Sequence, residues 1–223
     1  MEQVGVLQSV QVGTPHHYAG DGTKQGLQRS WETSFFRQPS AEPRWLAVTH
    51  LAGNAQADTH NHGRPDQAVL LYAAAHYPHW QAELGQPAMG AGGFGENFTV
   101  AGLAEDTACI GDIYTLGDAQ IQVTGPRYPC WKIERRHQIA GLTDRVAATG
   151  RTGWYCRVVQ AGMIAPGLPI WLSERPYPQW TVALTNDFGH GRNKDVATAT
   201  ALAACPLLVD FWQQLIVKAV RKQ

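Results

Sequence analysis

The sequence predicts a mainly β fold, a barrel or a sandwich, that is surrounded by helices and followed by a small helical region at the C-terminal end. Short runs rich in β-branched and aromatic residues recur along the chain and are bounded by glycine or proline. A stretch with helical periodicity interrupts them, and helix-favouring residues dominate after Arg175. These three observations predict a β domain with a helical unit attached to it.

The first predicted strand has apolar side chains at every second position. Valines stand at positions 4, 6, 10 and 12, and a period of two indicates a strand with one buried face. Similar short runs at residues 45–49, 119–124, 154–160 and 168–172 predict further strands. Their spacing is typical of a barrel or a sandwich.

Residues 66–84 show helical spacing and predict a helix that packs on the β domain. The positions that define this spacing are Val69, Tyr72, Tyr77, Trp80 and Leu84. Pro78 lies inside the stretch, and because proline has no N–H to donate, the helix must kink there or begin again.

The C-terminal region begins at a proline-rich boundary, since residues 175–178 read RPYP. Pro206 suits the first position of a final helix. The apolar face of that helix is formed by Leu208, Phe211, Trp212, Leu215 and Ala219. We predict that residues 176–223 form a small helical bundle.

Charge and hydropathy argue against some classes of function. Eighteen basic and eighteen acidic residues cancel, so no overall charge attracts nucleic acid or an anionic membrane. The opening residues MEQVGVLQSVQVG do not resemble a secretion signal, and no run of eighteen apolar residues occurs. We therefore expect a cytoplasmic protein that binds neither nucleic acid nor membranes, and any anion site must be built from local charges.

The cysteines give no metal or disulfide motif by their spacing. They are Cys109, Cys130, Cys156 and Cys205. No C-x-x-C pair points to zinc, an iron–sulfur cluster or a redox dithiol. An isolated cysteine is more often a small buried apolar side chain than a catalyst, so neighbouring residues must decide which one is functional.

Residues 125–136, GPRYPCWKIERR, surround Cys130 with positive charge. Pro126 and Pro129 restrict the backbone on both sides of Arg127 and end the preceding strand. Cations such as Arg127 and Lys132 favour a thiolate, which is a nucleophile and a soft metal ligand. The residues alone support a reactive or ligating Cys130 and an inward-packed Cys130 about equally.

Two further segments offer candidate anion-binding residues. GGFGENFTV, residues 92–100, combines Asn97 with glycines that let backbone N–H groups approach an anion. DTHNHGRPDQAV, residues 58–69, places His60, His62 and Arg64 before a predicted helix N-terminus. Each segment also fits a simpler interpretation, namely a turn between strands and a capped helix with surface histidines.

Together these segments resemble the MOSC domain family, which is named after the C-terminal domain of molybdenum cofactor sulfurases. The matching motifs, in order, are D-x-x-x-HGRPD-x-AV-x-x-Y-x-x-x-HY-x-x-W, FGENFTV-x-GL-x-E, IGD, PRYPCWK and TGRTGWYCRV. The resemblance is to the YiiM-like branch, which includes the 6-N-hydroxylaminopurine resistance proteins. It implies a MOSC-type β-barrel with peripheral helices over residues 1–172. The segment WTVALTNDFGHGR resembles the three-helix domain that often follows, here residues 176–223.

The resemblance also implies the site. Cys130 would bind the molybdenum of a molybdenum cofactor, a Mo-pyranopterin, and would be the catalytic ligand. Arg127 and Lys132 would line the cofactor site. Further candidate cofactor-binding residues at matching motif positions are Thr33, Arg37, His62, Arg64 and Asn97.

The chain departs from the family pattern near the expected phosphate contacts. The family commonly has HGGPDKAV where this chain has Arg64 and Gln67, and lysine where it has Arg37. Arginine at position 37 can still bind a phosphate. Arg64 replaces a glycine that would permit close backbone approach.

The resemblance implies an oxidoreductase that reduces N-hydroxylated compounds such as N-hydroxylated purine bases, and so detoxifies 6-hydroxylaminopurine. No nicotinamide or flavin fingerprint is visible, so a separate flavoprotein is the expected electron donor. A second hypothesis is a molybdenum cofactor carrier or sulfur-transfer module that uses Cys130 without turning over a small substrate.

A third and less favoured hypothesis is a hydrolytic zinc site. Its ligands would be His60, His62, His76 and His79. The metallo-hydrolase pattern needs aspartate two residues after the second histidine, and Arg64 stands there.

Overall fold

Strands dominate the first part of the chain and helices the last part, in residues 1–22, 26–59 and 63–221, which are the residues that this computed structural model describes. The strands are β1 (Glu2–Val12), β2 (His16–Tyr18), β3 (Trp31–Thr33), β4 (Gln38–Ser40), β5 (Arg44–Leu46), β6 (Val69–Ala73), β7 (Phe98–Ala101), β8 (Ile113–Leu116), β9 (Ala119–Pro126), β10 (Trp154–Gln160), β11 (Gly162–Ile164) and β12 (Pro169–Glu174). The helices are α1 (His76–Leu84), α2 (Lys132–His137), α3 (Leu142–Thr149), α4 (Val182–Gly189), α5 (Val196–Ala203) and α6 (Asp210–Arg221).

Seven of the described strands close a barrel. Their order around the ring is β1, β12, β8, β9, β10, β6 and β7, and β7 pairs again with β1. The pair β6–β7 is parallel, and the other pairs in the ring are antiparallel. β4 extends the sheet beside β1, while β2–β3 and β5–β11 form separate ribbons. The predicted β-barrel is therefore confirmed, and the sandwich is excluded.

The buried face of β1 changes from odd-numbered to even-numbered positions along the strand. Val10 is fully buried as predicted, but Val6 is only partly buried and Leu7 is fully buried instead. The pairing of β1 with β7 shifts register between Leu7 and Ser9. Such a β-bulge moves the following residues to the other face of the sheet.

Residues 66–84 do not form the single helix that their spacing predicts. A 3-10 turn over Pro65–Gln67 leads into β6, whose five residues are all buried, and α1 begins only at His76. A continuous apolar run fits a buried strand as well as a helix, and β6 pairs with β10 and β7. Pro78 stands in the first turn of α1, where a missing N–H is tolerated, so the helix neither kinks nor begins again at this proline.

Three helices follow the barrel within the described residues. Thr181 caps α4 by accepting the N–H of Leu184 at 3.0 Å, and Asp195 caps α5 in the same way. α6 begins at Asp210 and not at the predicted Pro206, which lies in the turn before it. None of the described helices combines the length and the apolar composition that crossing a membrane requires.

Trp212 of α6 holds these helices against the barrel. Its side chain is 2% exposed, and the indole N–H donates to the carbonyl of Pro126, the last residue of β9, at 2.7 Å. A Cβ added at Gly189 would lie 2.1 Å from the Trp212 ring, and one added at Gly125 would lie 2.9 Å from it. One apolar core runs from the barrel into the helices. Whether residues 1–172 and 176–223 fold as separate domains stays a prediction.

We expect Trp212→Ala to lower the free energy of unfolding by about 3–5 kcal/mol, because it leaves a cavity in the core. Denaturant titration followed by circular dichroism measures this change. Trp45→Ala is the matched control, since Trp45 is 49% exposed, and we expect it to change this free energy by less than about 0.5 kcal/mol. Similar losses in both variants would contradict the assigned role of Trp212.

Candidate functional site

One cleft at the end of the barrel brings together most of the predicted site residues. The predicted residues that line it are Thr33, Arg37, Asn97, Arg127, Cys130 and Lys132. Gln67, which the sequence marked only as a departure from the family pattern, and Tyr155, which it did not single out, also line it. Five separate parts of the chain therefore line the cleft that holds the thiol of Cys130.

Cys130 stands in the loop between β9 and α2, and hydrogen bonds hold this loop on both sides. The N–H of Arg127 donates to the carbonyl of Gly153 at 2.9 Å. The carbonyl of Cys130 accepts from the hydroxyl of Thr143 at 3.2 Å. Cys130 is only partly buried, whereas the other three cysteines are buried. Its sulfur is thus the cysteine sulfur that a ligand in the cleft can reach.

Two buried arginines lie beside Cys130. Arg37 is 8% exposed and Arg127 is 3% exposed, and Nη2 of Arg127 lies 4.0 Å from the sulfur of Cys130. Among the described residues, Nε and Nη1 of Arg37 and Nη1 of Arg127 have no hydrogen-bond partner. Buried donors without acceptors are costly, so this arrangement fits an anion that carries several oxygen atoms.

The two guanidinium groups make the cleft positive. Burial lowers the pKa of Arg37 to about 10, with Tyr155 and Glu96 opposing the shift and Arg127 adding to it. Arg37 still carries its charge at neutral pH because this pKa lies well above 7. No carboxylate among the described residues forms an ion pair with Arg37 or Arg127. A local positive potential therefore exists in a chain of zero net charge.

Glu96 holds the glycine loop and does not neutralise these arginines. Its buried carboxylate accepts the N–H groups of Gly92 at 2.7 Å and Phe94 at 3.1 Å. It also accepts the hydroxyls of Tyr77 and Thr99. Sequence reasoning gave Glu96 no role. An acidic residue inside a glycine-rich loop nevertheless indicates such a role, because the loop has backbone N–H groups that a carboxylate can accept.

Asn97 and Thr33 line the cleft, but their polar atoms bond within the protein. Oδ1 of Asn97 accepts the N–H of Leu70 at 3.2 Å, and its amide donates to the carbonyl of Gln11 at 3.4 Å. Oγ1 of Thr33 accepts the N–H of Phe35 at 3.0 Å. Both residues shape the wall of the cleft, and their contacts with a cofactor stay predictions.

The remaining predicted residues occupy different places. Lys132 lines the cleft, with its ammonium 3.9 Å from the carboxylate of Asp58. Arg64 is exposed and lines a neighbouring cavity rather than this cleft. It has the extended backbone that a residue before proline favours. His62 lies outside the described residues.

Tyr155 is a site residue that sequence reasoning missed, and Gln67 is one that it named as a departure from the family pattern without giving it a role. Burial raises the pKa of Tyr155, while Arg127 opposes the shift and Cys130 adds to it. Its hydroxyl therefore keeps its proton at neutral pH. The side-chain oxygen of Gln67 is buried and has no partner in the described part of the chain. Strand alternation carried the signal for Tyr155, since its neighbours Trp154 and Cys156 both point into the core.

The zinc hypothesis gains no support from the described residues. His76 contacts the carboxylate of Glu105 at 2.6 Å. No group of three or more His, Cys, Asp or Glu side chains in residues 1–22, 26–59 and 63–221 could hold a metal ion. His60 and His62 lie outside these ranges.

Comparisons with known proteins agree with the motifs. Residues 58–171 match the model of the MOSC domain family. The chain is 35% identical to "Uncharacterized protein YflK" of Bacillus subtilis (strain 168), over 97% of this chain and 95% of that protein. It is 33% identical to a protein named "Reductase" from Gibberella moniliformis, over 90% of this chain but only 37% of that longer protein.

The fold has a close counterpart among solved structures. The crystal structure of YiiM from Geobacillus stearothermophilus has a TM-score of 0.78 and 31% sequence identity, covering 97% of this chain and 99% of that one. The chain therefore belongs to the MOSC domain family, in its YiiM-like branch.

Proposed function

We propose that this protein is a molybdenum-cofactor-dependent oxidoreductase that reduces N-hydroxylated compounds, with N-hydroxylated purine bases as its substrate class. The observation that carries this proposal is the cleft shared by the thiol of Cys130 and by donors of Arg37 and Arg127 that have no partner in the described part of the chain. Membership in the MOSC family and a relative named "Reductase" support an oxidoreductase.

The residues of the cleft fit this cofactor. A thiolate at Cys130 is the soft ligand that suits molybdenum. The planar donors of Arg37 and Arg127 match phosphate oxygens in geometry and charge. Lys132, which lines the same cleft, adds a cation for the same anion. Cys130 would thus hold the metal, and the three basic side chains would hold the phosphate-bearing part.

The proposed reaction balances with two electrons and two protons, which convert the N–OH group to N–H and release water. The bound cofactor supplies the electron-transfer chemistry, and a separate flavoprotein reductase is the electron source. Tyr155 lines the same cleft, and burial keeps the proton on its hydroxyl. That hydroxyl can donate a hydrogen bond to the oxygen of the substrate and so orient the N–O bond, while water supplies the two protons.

We expect Cys130→Ser to abolish molybdenum binding, because a hydroxyl is a poor ligand for a site that needs a soft donor. Metal analysis of protein from a cofactor-competent host gives the molybdenum content per chain, and circular dichroism verifies the fold. Cys109→Ser is the control, since Cys109 is buried away from the cleft. Parental molybdenum content in Cys130→Ser would refute the assignment of the ligand.

We expect Arg127→Met to weaken cofactor retention at least tenfold, because a charged hydrogen bond contributes about 1.5–3 kcal/mol. Arg37→Met should weaken it as well, and Arg37→Lys should recover part of the loss by restoring the charge. Cofactor remaining after dialysis is the measurement. Arg192→Met removes an exposed arginine that pairs with Asp187 and should have no effect. Equal retention in all four variants would contradict a phosphate site.

Turnover separates the reductase from the carrier or sulfur-transfer alternative. Cofactor-loaded protein is supplied with 6-hydroxylaminopurine and a reduced viologen dye as electron donor. We expect adenine to accumulate well beyond one equivalent per chain. A carrier would form no more than one equivalent, and this result would reject the reductase.

A further inference from the structure

A second cavity adjoins the cleft of Cys130, and aromatic side chains of α6 form part of its wall. Its volume is about 270 Å³, slightly below the range of about 300–1,000 Å³ that is typical of sites for drug-sized ligands. Its lining includes Arg64, Gln67, Tyr128, Tyr155, Phe211 and Trp212. Because Gln67 and Tyr155 also line the cleft, the two spaces share a wall.

Two aromatic side chains of this cavity are exposed yet packed against neighbouring rings. Tyr128 is 48% exposed and Phe211 is 45% exposed. The Tyr128 ring stacks on His190 with a centroid distance of 5.2 Å, and the Phe211 ring meets Tyr128 edge-on at 5.6 Å. Trp212, which is buried, packs behind both rings. The wall is therefore preorganised to cover a flat apolar surface.

The polar groups of the cavity suit the edge of a nitrogen-containing ring. The side-chain oxygen of Gln67 is buried without a partner in the described residues and can accept an N–H from a ligand. Arg64, which is exposed at the cavity, offers N–H donors to ring nitrogens. A ligand with a flat ring, an N–H donor and acceptor nitrogens would satisfy both groups.

We propose that this cavity binds the ring of the substrate, a nitrogen heteroaromatic ring, and that Phe211 of α6 determines this specificity. The inference rests on the proposed function, because it assigns the cleft of Cys130 to the reacting N–OH group and the second cavity to the ring of the same substrate. The N–OH group would lie past Tyr155 in the cleft of Cys130, while the ring packs against Tyr128 and Phe211. The C-terminal helices thereby complete the substrate site.

Binding of adenine to the full-length, cofactor-loaded protein tests the ring site without any turnover. We expect Phe211→Ala to weaken adenine binding about tenfold in calorimetry, the size of a lost stacking contact with a base. Trp45→Ala, which removes an aromatic residue of similar exposure, should leave it unchanged. Equal affinity in the two variants, or no adenine binding by the parent protein, would overturn the proposal.

Two further measurements separate this inference from other outcomes. The ratio of KM for 6-hydroxylaminopurine to KM for N-methylhydroxylamine, which has no ring, should rise about tenfold in Phe211→Ala. Active protein with an unchanged ratio would defeat the ring site alone. If the parent protein turned over neither substrate, the proposed function would be rejected. The adenine-binding measurement would then still show whether the second cavity binds a ring. Loss of molybdenum in Phe211→Ala would assign the cavity to the cofactor and overturn the inference.

Discussion

The geometry of the cleft depends on the point where β9 ends, and the hydrogen bond from Trp212 to Pro126 fixes that point. Arg127, the next residue, donates its N–H to the carbonyl of Gly153, just before the neighbouring strand β10, at 2.9 Å. The carbonyl of Pro126 and the N–H of Arg127 cannot move without breaking these hydrogen bonds. The bond from Trp212 to Pro126 is buried, so its loss would leave polar groups without partners. The guanidinium of Arg127 and the sulfur of Cys130 take their positions from these two anchors. A residue of the last helix therefore sets the position of a loop that the barrel carries.

The buried charges of the cleft oppose folding and favour binding. Arg37 and Arg127 have lost much of their hydration and repel one another, and burial alone is sufficient to lower the pKa of Arg37. Glu96 is close enough to affect that pKa, but its oxygens are already used by the glycine loop. A bound anion would relieve the repulsion and supply the missing acceptors. Any such ligand would also stabilise the folded state, because it binds only there.

The sequence predicted the barrel and the surroundings of Cys130 because both depend on local signals. Proline and basic residues flank Cys130 within a few positions, and strand alternation is visible over short windows. β6, which the sequence predicted as part of a helix, is a continuous apolar run. It is a strand because it pairs with β10 on one side and with β7 on the other. Long-range pairing therefore accounts for β6. Arg64 and Tyr155 had local signals, namely the proline after Arg64 and the buried neighbours of Tyr155, but neither signal tells which cavity the side chain lines.

Two consecutive residues of α6 have different roles: Trp212 stabilises the fold, and Phe211 lines the proposed ring site. Trp212 points inward and is held by glycines on both sides, so substitutions there would displace the end of β9 and the cleft of Cys130. Phe211 points outward into the second cavity, so its size can change without disturbing that contact. The match to the family model ends at residue 171, before either of them. A substitution at position 211 would therefore alter the wall of the second cavity and leave in place the hydrogen bond that fixes the end of β9.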